Sequence, residues 1–262
     1  MFSEQPPSKR IIKEIHSLDN AKGRRRAGIF VAEGTKCVLD LVPAFIPRYL
    51  FATPEWLDEN IDKLHWFDGA DIFSCGAGQL KEITRLSNTP PVIAAFVLPE
   101  LPPHLPDPKQ ELVLALDGLQ DPGNLGTIIR TADWMGVHTI VASTDTVDCF
   151  NPKTVQATMG ALARVSVVYT GLADWLSDVT APVYGTFLDG DNIYGMELSQ
   201  NGVVIMGNEG HGISDEISAK VTSRIFIPSF PPDCPTSESL NVATATAITL
   251  SEFRSRYFSK NG

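Results

Sequence analysis

The sequence predicts an α/β protein in two parts, the second built on a parallel sheet, and three observations carry that prediction. After residue 111, short apolar runs alternate regularly with helix-like stretches, the pattern of a parallel sheet covered by helices. Before residue 99, a smaller set of apolar runs and helix-like stretches repeats the theme. Between them, PELPPHLPDPK at 99–109 holds Pro99, Pro102, Pro103, Pro106 and Pro108, and prolines at that density sustain neither a helix nor a paired strand. The expected division is 1–98, a proline-rich linker at 99–110, and 111–262, each part long enough to bury a core.

In the first part, IFVAE (29–33), RYLFA (48–52) and VIAAFVL (92–98) read as strands, with helical stretches at 8–20, 34–42 and 76–86. In the second, the order is strand LVLALD (112–117), helix 124–135, strand HTIVAS (138–143), helix 152–163 and strand VSVVY (165–169). Further strands follow at VYGTFL (183–188), GVVIMG (202–207) and RIFIP (224–228), and the chain closes with a helix over about 239–258. No internal repeat or low-complexity tract interrupts the series.

Composition excludes several classes. With 43% apolar and 20% charged residues the chain is neither disordered nor fibrous. No stretch approaches the ~18 to 20 apolar residues of a membrane span, and MFSEQPPSKR lacks the apolar core of a secretory signal, so a cytoplasmic location is expected. Cys37, Cys75, Cys149 and Cys234 form no C-x-x-C, which indicates buried thiols rather than a zinc site or a disulfide framework. Residues 1–109 hold 13 Lys+Arg and 14 Asp+Glu, whereas residues 110–262 hold 8 and 17, so the acidity belongs to the second part. Within the balanced first part, Lys9, Arg10, Lys13, Lys22, Arg24, Arg25 and Arg26 form a basic patch, read either as a polyanion contact or as a solvated helix face followed by a flexible loop.

In open parallel sheets ligands bind beyond the carboxyl ends of strands, so three strand-to-helix loops carry the candidate chemistry. LDGLQDPGNLGTIIR lacks G-x-G-x-x-G and G-K-[ST]; it reads as a tight turn with Asn124 as helix cap, followed by Arg130 under two turns into the helix. A guanidinium there suits phosphate. VVIMGNEGHGIS places Glu209 among three glycines at a strand end, where backbone can approach a ligand closely. RIFIPSFPPDCPTSESLNVATATAITLSEF runs from a strand through a proline-rich loop to Ser237, Ser239 and Asn241 before a helix on which Leu240, Ala243, Ala247 and Leu250 share a face. A serine-capped core helix and an anion-holding helix N-terminus are both open there.

In this order, the three segments resemble motifs one, two and three of the SpoU/TrmH family of RNA ribose methyltransferases, in the SPOUT superfamily. DPGNLGTIIRTAD matches the N-x-G-x-x-x-R frame with Asn124 and Arg130, GNEGHGIS supplies Glu209, and IFIP with SLNV supplies Ser239 and Asn241. Phe30, Glu33 and Gly34 match the F-x-x-E-G signature of the ribosomal-protein-like substrate-binding domain that many members carry. One departure is that Pro228 to Ser239 takes eleven steps and contains no glycine, so that Ser237 is an alternative to Ser239. The resemblance implies a deep trefoil knot in the 111–262 domain, a homodimer, and S-adenosylmethionine held largely by backbone near Thr186, Gly207, Asn208, Ile227 and Leu240. It implies catalytic roles for Arg130, Asn124, Glu209, Ser239 and Asn241, with a hydrogen-bonded Glu209–Asn124 pair joining motifs one and two. It also turns the basic patch toward RNA, through Lys22, Arg24, Arg25 and Arg26, with tRNA or rRNA as partner. No metal is expected, because a sulfonium is already a good leaving group.

Two other functions remain open to the sequence. One is a Rossmann-type oxidoreductase, against which the missing dinucleotide turn argues and which titration with NAD would reveal. The other is a non-catalytic RNA-binding protein that keeps the fold; it would bind the methyl donor without transferring its methyl.

Overall fold

The structure, a computed structural model, describes residues 6–100, 104–231, 234 and 237–261, with side chains as far as Arg256. It falls into two compact units, one of 1–101 with 148–164 and the other of 102–147 with 165–262. The sequence reading kept 148–164 with the second part; its contacts assign it to the first. Of the proline-rich segment, Leu101–Pro103 lie outside the described residues.

The first unit opens with α1 (Lys9–Ser17), where Ser8 accepts from the Ile11 N–H and Ile15 with Leu18 enters the core beneath Ile11 and Ile12. Where the sequence suggested a loose basic loop, a second helix α2 (Ala21–Ala27) forms instead. Asn20 caps it at the Gly23 N–H, and Gly28 ends it in the left-handed region (φ 69). A Cβ on Gly23 would lie 1.7 Å from the Ser17 carbonyl oxygen, so this helix can follow α1 so tightly only with glycine there. The chain continues through β1 (Ile29–Glu33), α3 (Thr35–Leu41), β2 (Pro47–Ala52), α4 (Pro54–Glu59), β3 (Asp71–Ser74), α5 (Ala77–Ile83) and β4 (Val92–Val97). The sheet order is β1-β4-β2-β3, with β4 antiparallel to both neighbours and β2 parallel to β3. The sequence reading missed β3 and α4, although Thr53-Pro54 is a helix-start signal: Thr53 accepts from the Trp56 N–H at 3.2 Å.

The second unit begins with β5 (Leu112–Leu116), α6 (Pro122–Trp134) and β6 (Thr139–Ser143). The chain then returns to the first unit for α7 (Pro152–Thr158). There the Phe150 ring stands 4.7 Å from Phe30, and the Cys37 thiol reaches the Val155 carbonyl at 3.8 Å. The rest of the second unit is β7 (Ser166–Thr170), α8 (Leu172–Asp178), β8 (Val183–Asn192), β9 (Gly202–Met206), α9 (Asp215–Ser218), β10 (Ser223–Phe226) and α10 (Val242–Asn261). Its six strands run in the order β10-β8-β9-β5-β6-β7, all pairs parallel. The central strands β5 and β9 are buried along their whole length, the reason LVLAL and GVVIM read as unbroken apolar runs. From β5 the chain winds outward through β6 to β7, then resumes on the far side at β8 and β9, so the switch point lies between β5 and β9. Against β10, the register of β8 jumps from Gly185 to Asp191, which takes Thr186–Gly190 out of the pairing.

Helix α10 packs on α6, burying Val242, Ala243, Thr246, Thr249, Leu250 and Phe253. This corrects the expected face, because Leu240 precedes the helix and is 46% exposed. Arg254 donates to the carbonyls of Met135 and Gly136 at 2.7 and 2.9 Å, satisfying the end of α6. No described helix is long and apolar enough to cross a membrane.

Of the four cysteines, three are buried as expected, but Cys234 is exposed. Burial pushes the Cys37 thiol up to about 12 and that of Cys75 to about 11 from an ordinary 9.0. Both therefore stay protonated and inert in the native protein. A disulfide reagent at neutral pH is expected to titrate one thiol rapidly and the others only after denaturation; fast reaction of a second would contradict this core. Above about pH 9 the unfolded chain releases these protons while the folded one retains them, so stability should fall as pH rises toward 11.

Candidate active site

The three loops converge at the carboxyl ends of β5 and β9. At the end of β5, Asp117 accepts from the Ser214 N–H at 2.7 Å, which ties the close of the second loop to the start of the first. Gly118 takes a positive φ of 69; its N–H donates to Ser143 Oγ at 2.8 Å and its carbonyl accepts from Asn208 Nδ2 at 2.6 Å. Asn208 also braces its own turn, its Oδ1 accepting from Gly210 and His211 N–H groups while its backbone pairs with Gly212. The turn is so tight that a Cβ on Gly207 would lie 2.2 Å from the Gly212 carbonyl carbon.

The cap of α6 is Asp121, not Asn124. Asp121 Oδ1 accepts from the Asn124 N–H at 2.7 Å, and Pro122 takes the first helical position, where its missing N–H is no loss. Asn124 thus stands inside the first turn, which frees its side chain for a different task. Its Nδ2 donates to Glu209 Oε1 at 3.0 Å, and its Oδ1 accepts from Asn241 Nδ2 at 2.9 Å. Asn241 in turn caps α10, its Oδ1 accepting from the Ala243 and Thr244 N–H groups at 3.0 and 3.3 Å, the role the sequence had left to a serine. The expected Glu209–Asn124 pair is therefore present, and it extends to a third member, so that one residue from each segment joins a single hydrogen-bonded line.

Glu209 also receives the Gln120 and Asp121 N–H groups at 3.4 Å, placing its negative charge at the N-terminus of α6, where the helix dipole favours it. Glu209→Gln keeps the size but turns an amide NH2 toward donors that need an acceptor. We expect turnover to drop by about fivefold to a hundredfold, from a loss on the order of 1–3 kcal/mol at an unsatisfied donor. A variant with wild-type rate and melting temperature would remove Glu209 from the site.

Arg130 is exposed on the same side of α6 as Gly123 and Thr127, and it makes no hydrogen bond or ion pair with the described residues. It is not part of the Glu209–Asn124–Asn241 line. Ser239 and Ser237 are also exposed and outside that line, and Pro232, Asp233, Pro235 and Thr236 of the same loop lie outside the described residues. Among the expected cofactor residues, Thr186 donates to the Ile205 carbonyl at 3.2 Å, from the part of β8 left unpaired with β10. The backbones of Gly207, Ile227 and Leu240 make no backbone hydrogen bond to the described residues. Asn208 serves as the brace described above. The sequence reading missed Asp117 and Asp121, for which the run L-D-G-x-x-D-P at a strand end was the available signal.

In the first unit, Lys22, Arg25 and Arg26 are exposed but Arg24 is not. Its guanidinium is 2% exposed and spends its donors on Asp148 Oδ2, at 2.5 and 3.1 Å, and on the Leu18 carbonyl at 2.7 Å. Arg24 holds the unit together and is unavailable to RNA, a correction that follows from its place on the inward side of α2. Glu33, of the F-x-x-E-G signature, is likewise buried, accepting from the Thr84 hydroxyl and the Arg85 N–H.

A parallel α/β domain whose ligand loops meet at a switch point, joined by a Glu–Asn–Asn line with a free arginine close by, is the build of a SpoU/TrmH-type domain. Residues 111–251 match the SpoU rRNA methylase family and residues 9–94 an MRM3-like substrate-binding domain. The chain belongs to the SpoU rRNA methylase family. It is 29% identical, over 93% of its length and 95% of the relative's, to the 23S rRNA (guanosine(2553)-2′-O)-methyltransferase RlmP of Bacillus subtilis. Among solved structures, a TrmH-family protein from Porphyromonas gingivalis superposes with a TM-score of 0.86 at 38% identity, covering 96% of this chain and 100% of that one. An AdoMet-bound rRNA methyltransferase from Sinorhizobium meliloti gives 0.84 at 30% identity, covering 97% and 98%.

Proposed function

We propose that this chain is an RNA ribose 2′-O-methyltransferase that uses S-adenosylmethionine, acts on tRNA or rRNA, and works in the cytoplasm as a homodimer. The observation that carries this reading is the Glu209–Asn124–Asn241 line, which makes one wall out of three separated segments while leaving Arg130 free to meet a substrate.

The residues present fit the cofactor. A turn at 207–212 that admits no side chain at Gly207, with backbone at Gly207, Ile227 and Leu240 left outside the strand ladders, suits a ligand recognised by main-chain donors and acceptors. Bound there, S-adenosylmethionine supplies a methyl group on a sulfonium. The chain's own work is on the other partner, since a ribose hydroxyl is a weak acid. Arg130 binds the phosphate of the target nucleotide and fixes the hydroxyl in line, and the proton leaves through that phosphate or water. Asn124, Glu209 and Asn241 hold the wall, and Ser239 shapes it from the third segment.

The same reading includes the knot. To place Asn241 against Asn124, the chain leaving β10 at the sheet's edge has to pass the carboxyl ends of β8 and β9, and this supports a threaded path. Support for the dimer comes from Trp134, 87% exposed at the end of α6. The exposed cations Lys22, Arg25 and Arg26 offer RNA contacts on an otherwise acidic protein. The test is to incubate the protein with methyl-labelled S-adenosylmethionine and RNA from a strain lacking the gene, then to digest and identify the product. A 2′-O-methylnucleoside is expected; a base-methylated nucleoside would overturn the ribose assignment, and no label in any RNA would favour the non-catalytic alternative.

A further inference from the structure

The first unit contains a cleft of about 650 Å3, within the range of roughly 300–1,000 Å3 common to small-ligand sites. It lies between the start of α1, which contributes Arg10 and Glu14, and the sheet end formed by Gly28, Ile29, Arg48 and Tyr49. None of the residues of the Glu–Asn–Asn line borders it.

Two unpaired arginines line it. Arg24, Arg85, Arg224 and Arg256 are each paired with a carboxylate, whereas Arg10 and Arg48 are exposed and form no ion pair among the described residues. The Arg48 guanidinium carbon lies 5.2 Å from the centre of the Tyr49 ring, which places an exposed planar cation beside the cleft. Among the described residues, Glu14 is the only carboxylate lining the cleft. Its Oε2 accepts from the Tyr49 hydroxyl at 3.1 Å, and its Oε1 has no partner among the described residues. Burial and this carboxylate both raise the Tyr49 hydroxyl above its ordinary range, so it remains a donor and keeps Glu14 fixed.

The combination is selective. An ionised carboxylate only accepts hydrogen bonds, and guanine is the base whose Watson–Crick edge offers two adjacent donors, N1–H and the N2 amino group. Adenine and cytosine set a ring acceptor beside their amino group, and uracil flanks its single N–H with two carbonyls. Guanidinium planes are established stacking surfaces for unpaired bases, and arginine suits phosphate. We propose that this cleft seats one unpaired guanosine of the RNA, distinct from the nucleotide that is methylated, with Arg48 stacking on the base, Glu14 reading its edge and Arg10 holding its phosphate. The proposal rests on RNA being the substrate.

The test uses the full chain and fluorescent oligouridylates, ten nucleotides long, carrying one central guanosine, inosine or adenosine. The guanosine probe is expected to bind about tenfold tighter than the inosine probe, which lacks the amino group, and than the adenosine probe. Glu14→Gln should abolish that preference while leaving the affinity for plain oligouridylate unchanged, and should raise the KM for RNA with kcat retained. Arg10→Ala with Arg48→Ala should weaken all probes and flatten the salt dependence. Equal binding of guanosine and adenosine probes, or wild-type discrimination in Glu14→Gln, would overturn the proposal. The labelled-methyl assay separates the two readings: methylation without guanosine preference removes the cleft alone, and guanosine preference without methylation of any RNA removes the catalytic reading alone.

Discussion

Arg130→Ala is expected to lower kcat by about a hundredfold or more while leaving the affinity for S-adenosylmethionine within about twofold. The magnitude is that of losing one positioning or charge-stabilising group, on the order of 10²–10³ in rate. The separation of rate from cofactor binding follows from the geometry. Arg130 is exposed on α6 and bonded to none of the described residues, while the glycine turn and the braces on Gly118 belong to other side chains. Removing it should therefore cost little stability. Arg130→Lys should recover only part of the rate, because a point charge does not reproduce a two-pronged contact with phosphate. Near-normal turnover of Arg130→Ala with saturating RNA would refute the role.

Gly207→Ala is expected to abolish measurable cofactor binding, and with it activity, while the first unit keeps its structure. A Cβ at this position would meet the Gly212 carbonyl carbon at 2.2 Å, the Ile213 nitrogen at 2.3 Å and the Gly212 oxygen at 2.5 Å, all of them backbone. None can rotate away, so the whole 207–213 turn must shift. That movement would strain the Asn208 pairing with Gly212 and the Asp117 bond to Ser214, which hold the turn against β5. Calorimetric titration with S-adenosylmethionine reads the loss directly. Gly210→Ala is the control: at Gly210 the nearest atom to a new Cβ is a side-chain oxygen at 3.5 Å, an ordinary contact, so binding should survive.

Much of this could be read from the chain, and the exceptions have physical causes. The strands of the second sheet were legible because central parallel strands are buried on both faces and appear as continuous apolar runs such as LVLAL. Short elements were not: β3 is only DIFS, α9 is only DEIS, and α8, though Leu172, Trp175 and Leu176 keep helical spacing, spans under two turns. Asn124 was misplaced as a cap because two acceptors, Asp121 and Asn124, compete three residues apart, and Pro122 decides the matter in favour of Asp121. The burial of Arg24 was invisible, since its partner Asp148 lies 124 positions away in a segment the sequence assigned to the other part. The Glu209–Asn124 bond was foreseeable from the resemblance, whereas the bond from Asn241 depends on where α10 starts, and a loop of mixed prolines and serines does not specify that.

The measurement that bears most directly on the account is a crystal structure of the protein soaked with S-adenosylmethionine. The expected result is a bent donor against the backbone of Gly207, Ile227 and Leu240, within a threaded chain, with the Glu209–Asn124–Asn241 line intact beside its methyl group and Arg130 facing the same space. A donor lodged elsewhere, or a chain that reaches Asn241 without passing through its own loops, would contradict it.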